Sequence, residues 1–269
     1  MIRILLTLAG LALASCAMTP SSTRVTPELR REFAPSGTLI AGINYGNTVI
    51  TQRPAPGEDP RGVAPDLARE LARRLDLPIK YVTYDIAGKM ADAAKEEAWD
   101  VAFLAVDPAR ARTIGFSAPY VLIHGTYMVR NESPLRRLED FDREGLTIAV
   151  GKGSAYDLHL AREVRKATLV RYPTSQAAID AFVKGETGAV AGVQQALAAN
   201  AKKTPGLRLI EGSYMTISQA AGVPGNRKNA ARFLHDFIEE MKASGFVAKA
   251  LAATGNADAT VAPRAARPN

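Results

Sequence analysis

The chain has 269 residues, 47% of them hydrophobic and 23% charged, which excludes a disordered chain and allows one large domain or two small ones. Its net charge of +7, with a sequence pI near 9.6, comes from bases scattered along helix faces, such as Arg69, Arg73 and Arg74, with acids among them. No basic stripe is interleaved with aromatics, which argues against nucleic-acid binding, and a single cysteine rules out an internal disulfide or a cysteine metal cluster.

Met1-Ile2-Arg3 is a short positive start, and Ile4 to Ala14 is an apolar run too short to span a bilayer stably. That is the pattern of a secretory signal. It ends in Leu13-Ala14-Ser15-Cys16, similar to a bacterial lipobox, which implies cleavage after residue 15 and lipidation of Cys16. An ordinary signal peptide with a chance cysteine is the alternative. Ala17 stands where an aspartate in lipoproteins argues for inner-membrane retention. Residues 16–37, with polar Ser21 to Pro35, are expected to form a tether.

Thr38 to Ile43 reads as a strand. Pro65 opens a helix, where its missing N–H costs nothing, and Leu67, Leu71 and Leu75 repeat on one face before Pro78 stops it. Ile79 to Tyr84, rich in β-branched and aromatic residues, predicts a strand, Lys89 to Glu97 a helix, and Val101 to Val106 a continuous apolar strand covered on both faces. The order then recurs. Leu146 to Val150 is a strand, Ser154 to Lys166 a helix, Thr168 to Tyr172 a strand, Ser175 to Lys184 a helix and Gly188 to Gly192 a strand. A last long helix runs from Arg227 to Met241, and the Ala/Pro/Arg-rich residues 256–269 suggest a loose tail. Two β-α-β-α-β halves predict an α/β fold of two lobes, each a small, mainly parallel sheet.

Ligands of open α/β sheets bind beyond the carboxyl ends of the strands. Arg110 lies just past the third strand, after the abrupt Asp107-Pro108 turn. A guanidinium held there can grip a carboxylate through two parallel hydrogen bonds; a plain surface arginine is the alternative. Gly151-Lys152-Gly153-Ser154 lies just past the first strand of the second half. Its glycines allow close backbone approach, the next helix offers free N–H groups, and Ser154 can cap that helix and donate its hydroxyl. A plain strand-to-helix turn is the alternative. The loop is neither a Walker loop nor a nucleophile elbow. His235 and Glu239 are spaced as i, i+4 but fall on the polar side of their helix, and His124 and His159 are isolated, so no metal site or triad is assembled.

The order R-G-V-A-P-D-L-A-R-E-L-A-R-R-L, W-D-V-A-F-L-A-V-D-P-A-R-A-R-T-I-G-F-S-A-P-Y and L-T-I-A-V-G-K-G-S-A-Y, within Thr38 to Gly255, resembles the family 3 extracellular solute-binding proteins. These are the substrate-binding components of polar amino-acid ABC transporters. The resemblance implies a type II periplasmic-binding fold that closes on its ligand like a hinge. Lobe 1 would comprise residues 38–124 and 219–255, and lobe 2 residues 130–214, with crossings near Gly125 to Arg130 and Met215 to Ser218. It implies that Arg110 grips the ligand carboxylate and that Gly153, Ser154 and Ala155 donate to the same group. Ala105 and Asp107 replace threonines common in the family, and Val193 stands where its amino-group aspartate usually falls. Either Asp107 has taken that role or the ligand lacks an α-amino group. Asn44, Tyr45 and Asn47 would line the first-lobe loop, Gln194 and Gln195 would add hydrogen bonds, and Lys89 would hold a second acid group.

The resulting expectation is a periplasmic, lipid-anchored, monomeric binding protein without cofactor or metal. It would deliver an amino acid or related small carboxylate to an ABC permease in the inner membrane. A dehydratase-like enzyme of the same fold, with Asp107 as acid or base, and a ligand-sensing lipoprotein without a permease are the alternatives.

Overall fold

The computed structural model describes residues 24–266. The signal segment, Cys16 and the first part of the tether lie outside them. The first lobe opens with α1 (Pro27–Phe33), β1 (Leu39–Asn44), α2 (Val63–Leu75), β2 (Ile79–Tyr84) and α3 (Ala87–Asp92), which tightens into a 3₁₀ turn at Ala93–Glu96. β3 (Val101–Ala105), a 3₁₀ turn (Arg110–Arg112) and the 17-residue β4 (Ile114–Arg130) follow. The second lobe holds a 3₁₀ turn (Leu138–Phe141), β5 (Thr147–Gly151), α4 (Ala155–Glu163), β6 (Thr168–Tyr172), α5 (Ser175–Val183), β7 (Ala189–Val193), α6 (Gln194–Lys203) and β8 (Leu207–Leu209). The chain returns through β9 (Met215–Pro224), α7 (Lys228–Ala243), α8 (Phe246–Ala253) and β10 (Thr260–Val261). No helix among the described residues is long and apolar enough to cross a membrane.

The sheet order is β2-β1-β3-β9-β4-β7-β5-β6. β2, β1 and β3 are parallel, as are β7, β5 and β6. Between the two sets run β9 and β4, antiparallel to each other and to their outer neighbours. β4 pairs with β9 as far as Gly125, and there it takes up β7 as well. A Cβ on Gly125 would lie 2.9 Å from Met215 Cγ and 3.1 Å from the Tyr214 ring, so any larger residue would displace those side chains at this crossing. Pro119 sits at a register shift in β4, where the ladder tolerates a missing N–H.

Leu67, Leu71 and Leu75 of α2 are fully buried, and all five residues of β3 are buried, as the apolar periodicity and the apolar run require. Elsewhere the structure departs from the sequence expectations. Residues 27–33 of the expected tether form α1, capped by Thr26, and its Phe33 packs edge-on against Phe233 of α7. A polar segment with two apolar residues at helical spacing, Leu29 and Phe33, buries those two, and half-buried Glu32 accepts from Asn229 and Ala230 of α7. The expected loose tail is also held. β10 pairs with β4, Ala259 and Ala262 are buried, and Lys242 Nζ donates to Pro263 O at 2.9 Å. His235, read as lying on the polar face of α7, is only 5% exposed.

Asp100, just before β3, ties the first lobe together. Its Oδ2 accepts from Ile40 N at 2.9 Å and its Oδ1 from Arg227 Nη1 at 2.7 Å. Arg227 also donates to Phe33 O at 3.0 Å and to Glu97 Oε2 at 2.7 Å, so α1, β1, β3 and the start of α7 share one buried network. On the outside, Glu70 of α2 accepts from Arg73 and Arg74, and Arg74 reaches Glu240 of α7 at 2.6 Å.

Removing one partner of a buried ion pair strands the other. Asp100→Ala is therefore expected to lower unfolding free energy by about 3 kcal/mol in urea denaturation. The Arg73 and Arg74 guanidinium groups hold Glu70 down to about 2, against an ordinary value of 4.5. Its stabilisation is complete above the ordinary value and is lost as the pH falls from there through about 2, because the unfolded chain takes up the proton first. Glu70→Gln should flatten the loss of stability across that window in acid titrations followed by circular dichroism.

Candidate functional site

A cavity of about 500 Å³, including its open mouth, lies between the lobes. Asn44, Asn47, Asp85, Ala105 and Arg110 come from the first lobe, Lys152, Ser154, Ala155, Tyr156, Thr174, Ser175 and Val193 from the second, and Ile217 and Gln219 from β9. A smaller recess continues from it past Ile179, Ala191 and Ala196.

Arg110 sits on the 3₁₀ turn that follows β3 and is only 5% exposed. Its Nη1 donates to Ala105 O at 2.9 Å, and its Nη2 donates across the cleft to Gly153 O at 2.9 Å. Its Nε is buried and has no partner. Burial lowers the guanidinium to about 10, while Asp107 and Asp92 pull it back up. It remains a cation at neutral pH. Both of its bonds go to neutral main-chain carbonyls, so its charge enters the cleft without a contacting carboxylate.

The Gly153 loop faces it. Gly153 has φ +70°, and a Cβ built on it would lie 3.1 Å from the Cα of Gly88 on α3. The lobes therefore meet backbone to backbone at a pair of glycines. Gly153 N donates to Asp157 Oδ2 at 2.8 Å, so the expected donation from this amide to a ligand is already spent, and its carbonyl serves Arg110 instead. Ser154 caps α4, its Oγ accepting from Asp157 N at 3.0 Å. The first amides of α4, beginning at Ala155, have no partner inside the helix. Tyr156 OH donates to Ser175 Oγ at 2.7 Å, and burial pushes this phenol up, so it stays protonated.

Of the residues singled out in the sequence, Asn44, Asn47, Ala105, Arg110, Ser154, Ala155 and Val193 line this cavity. Six do not, for local reasons, and Gly153 is the first of them, its amide taken by Asp157 and its carbonyl by Arg110. Asp107, 3% exposed, accepts from Ala109 N at 2.8 Å and pairs with Arg162 of α4 at 3.0 Å. It joins the lobes through this pair and lies buried outside the cavity lining. The Tyr45 ring turns away under the Arg53 guanidinium, 4.2 Å from its centroid. Lys89 on α3 and Gln194 at the start of α6 are exposed outside the cavity, and Gln195 lies outside it too. Gln219, Tyr156, Thr174, Ser175, Asp85 and Lys152 were missed as cavity residues. Thr174 and Ser175 carried one signal, since they follow β6 at its carboxyl end, the same position that marked Arg110 after β3. Among the described residues there is no group of acids, histidines and cysteines placed to hold a metal.

Arg162→Ala should leave Asp107 unpaired at the lobe interface. Small-angle scattering of the ligand-free protein is expected to show a larger radius of gyration than wild type, and ligand affinity should fall about fivefold.

No curated protein sequence matches. Holo ArgBP from T. maritima superposes with a TM-score of 0.69 at 23% identity, covering 81% of this chain and 96% of that one. The cysteine-binding protein from Campylobacter jejuni gives 0.73 at 19%, covering 84% and 92%. An ancestral amino acid-binding protein, a precursor of cyclohexadienyl dehydratase, gives 0.70 at 18%, covering 83% and 98%. Likeness at these identities shows the shared two-lobed fold. The family profile described as bacterial extracellular solute-binding proteins, family 3, matches residues 42–253, and the chain belongs to that family.

Proposed function

We propose that the protein captures a small organic carboxylate in the interlobe cavity, is tethered in the periplasm through a lipid on Cys16, and hands the ligand to an ABC importer. The observation that carries the capture step is the Arg110 guanidinium, buried at the cavity wall with its Nε free of any partner. A buried N–H donor without a partner is costly, and a carboxylate supplies both the acceptor and the opposite charge. The ligand would approach Arg110 from one lobe and the first amides of α4, at Ala155, from the other. Its binding energy then favours the closed arrangement in which Gly88 meets Gly153 and Asp107 meets Arg162. Membership of the family and the amino-acid-binding proteins of like fold support this reading, and the apolar start ending in Cys16 supports the tether.

The enzymatic reading loses its acid–base candidate. Asp107, which the sequence offered for a dehydratase-like reaction, is committed to Arg162 away from the cavity. Arg110→Ala is expected to weaken carboxylate binding at least about thirtyfold in calorimetry, with unfolding still cooperative. Arg110→Lys should recover little, because an ammonium cannot reproduce the planar fork that spans Ala105 O, Gly153 O and a ligand. Unchanged affinity in Arg110→Ala would overturn the proposal.

A further inference from the structure

The donors and acceptors of the cavity wall go further and select among carboxylates. We infer that the cleft prefers a 2-oxo or 2-hydroxy acid to the α-amino acid of the same skeleton, an inference that rests on carboxylate capture by Arg110.

Hydrogen-bond bookkeeping carries it. Asn44 Oδ1 accepts from Gly46 N at 2.9 Å, and Asn47 Oδ1 accepts from Val49 N at 3.2 Å. A main-chain N–H can only donate, so both amides are oriented with oxygen toward their own loop and keep their NH₂ hydrogens to offer. Ser154 Oγ accepts from Asp157 N at 3.0 Å, and Thr174 Oγ1 accepts from Ala177 N at 3.0 Å. Ser175 Oγ accepts from Tyr156 OH at 2.7 Å. In five polar side chains of the wall, the oxygen already accepts one hydrogen bond from the protein, which leaves it one lone pair and leaves every side-chain hydrogen not used within the protein to be offered. Gln219 adds one amide oxygen.

The charges point the same way. The wall carries the cations Arg110 and Lys152. Asp85 is the one acid among the described lining residues; it is exposed at the mouth and is held by Arg53. Asp157, just behind the wall, is taken by Gly153 N and by Arg171 at 2.9 Å, and Asp107 by Arg162. Val193 presents an apolar surface at the end of β7. An ammonium entering this cleft gives up water for neighbours that are mostly donors, cations or methyl groups, and the one carboxylate among the described lining residues is already paired with Arg53. A keto or hydroxyl oxygen in its place meets the amide and hydroxyl hydrogens directly.

The test is calorimetry on the full chain with matched probes: pyruvate, lactate and alanine; 2-oxoglutarate and glutamate; phenylpyruvate and phenylalanine. At least one oxo or hydroxy acid is expected to bind at least about tenfold more tightly than its amino acid, and Arg110→Ala should remove that binding. Val193→Asp, which puts a carboxylate on the wall, should move the preference at least about tenfold toward the amino acid. The wild-type comparison does not depend on that variant folding. Amino acids binding as tightly as their partners, and still losing affinity in Arg110→Ala, would overturn this inference and leave carboxylate capture standing. A panel in which neither series binds would overturn both.

Discussion

A guanidinium taken out of water has to be satisfied, and the way Arg110 is satisfied organises the cleft. Its contacts are two main-chain carbonyls, one at the end of β3 in its own lobe and one in the Gly153 loop of the other. Carbonyl dipoles hold the group in place without cancelling its charge. The charge therefore remains available to an anion, and the bond to Gly153 exists only while the lobes are together. A single side chain thus couples the closure of the fold to the electrostatics of its cavity.

The acids near the cleft make their contacts with other groups, and Asp107 and Asp92 act on Arg110 only from a distance. Asp107 spends itself on Arg162, Asp157 on Arg171 and the Gly153 amide, and Asp85 on Arg53. The first two are buried, where an unpaired carboxylate would be expensive, so each acid needs its own cation. One consequence is structural, since the Asp107–Arg162 pair spans the lobes beside the Arg110 bond. The other is chemical, since the cavity is left positive and rich in donors.

Both lobes hang on the antiparallel pair β4 and β9. Each outer set has three parallel strands, and the two crossing strands make them one sheet path. The glycine at the crossing and the glycines at the closing contact, Gly88 and Gly153, let backbones approach where a side chain would hold them apart. The described ends of the chain are pinned to the first lobe, α1 through Phe33 and Phe233 and β10 through its pairing with β4.

The sequence by itself determined the α/β class, the repeated strand–helix order and the place of Arg110, because apolar periodicity and the strand-end rule act over a few residues. It also marked Asn44 at the end of β1, Asn47 just beyond it, and Ser154 and Ala155 at the start of α4. It could not determine which way a side chain turns from its element, and so Tyr45, Lys89 and Gln194 read as site residues although they lie outside the cavity lining. Asp107 looked like a free acid because its partner lies on α4, far along the chain. Gln219 entered the cavity only through the crossing of β9 over β4, and Tyr156 only through the docking of α4. Periodicity reports which face of an element is buried; the tertiary structure alone decided which buried group meets which, because those partners are joined by space and not by spacing.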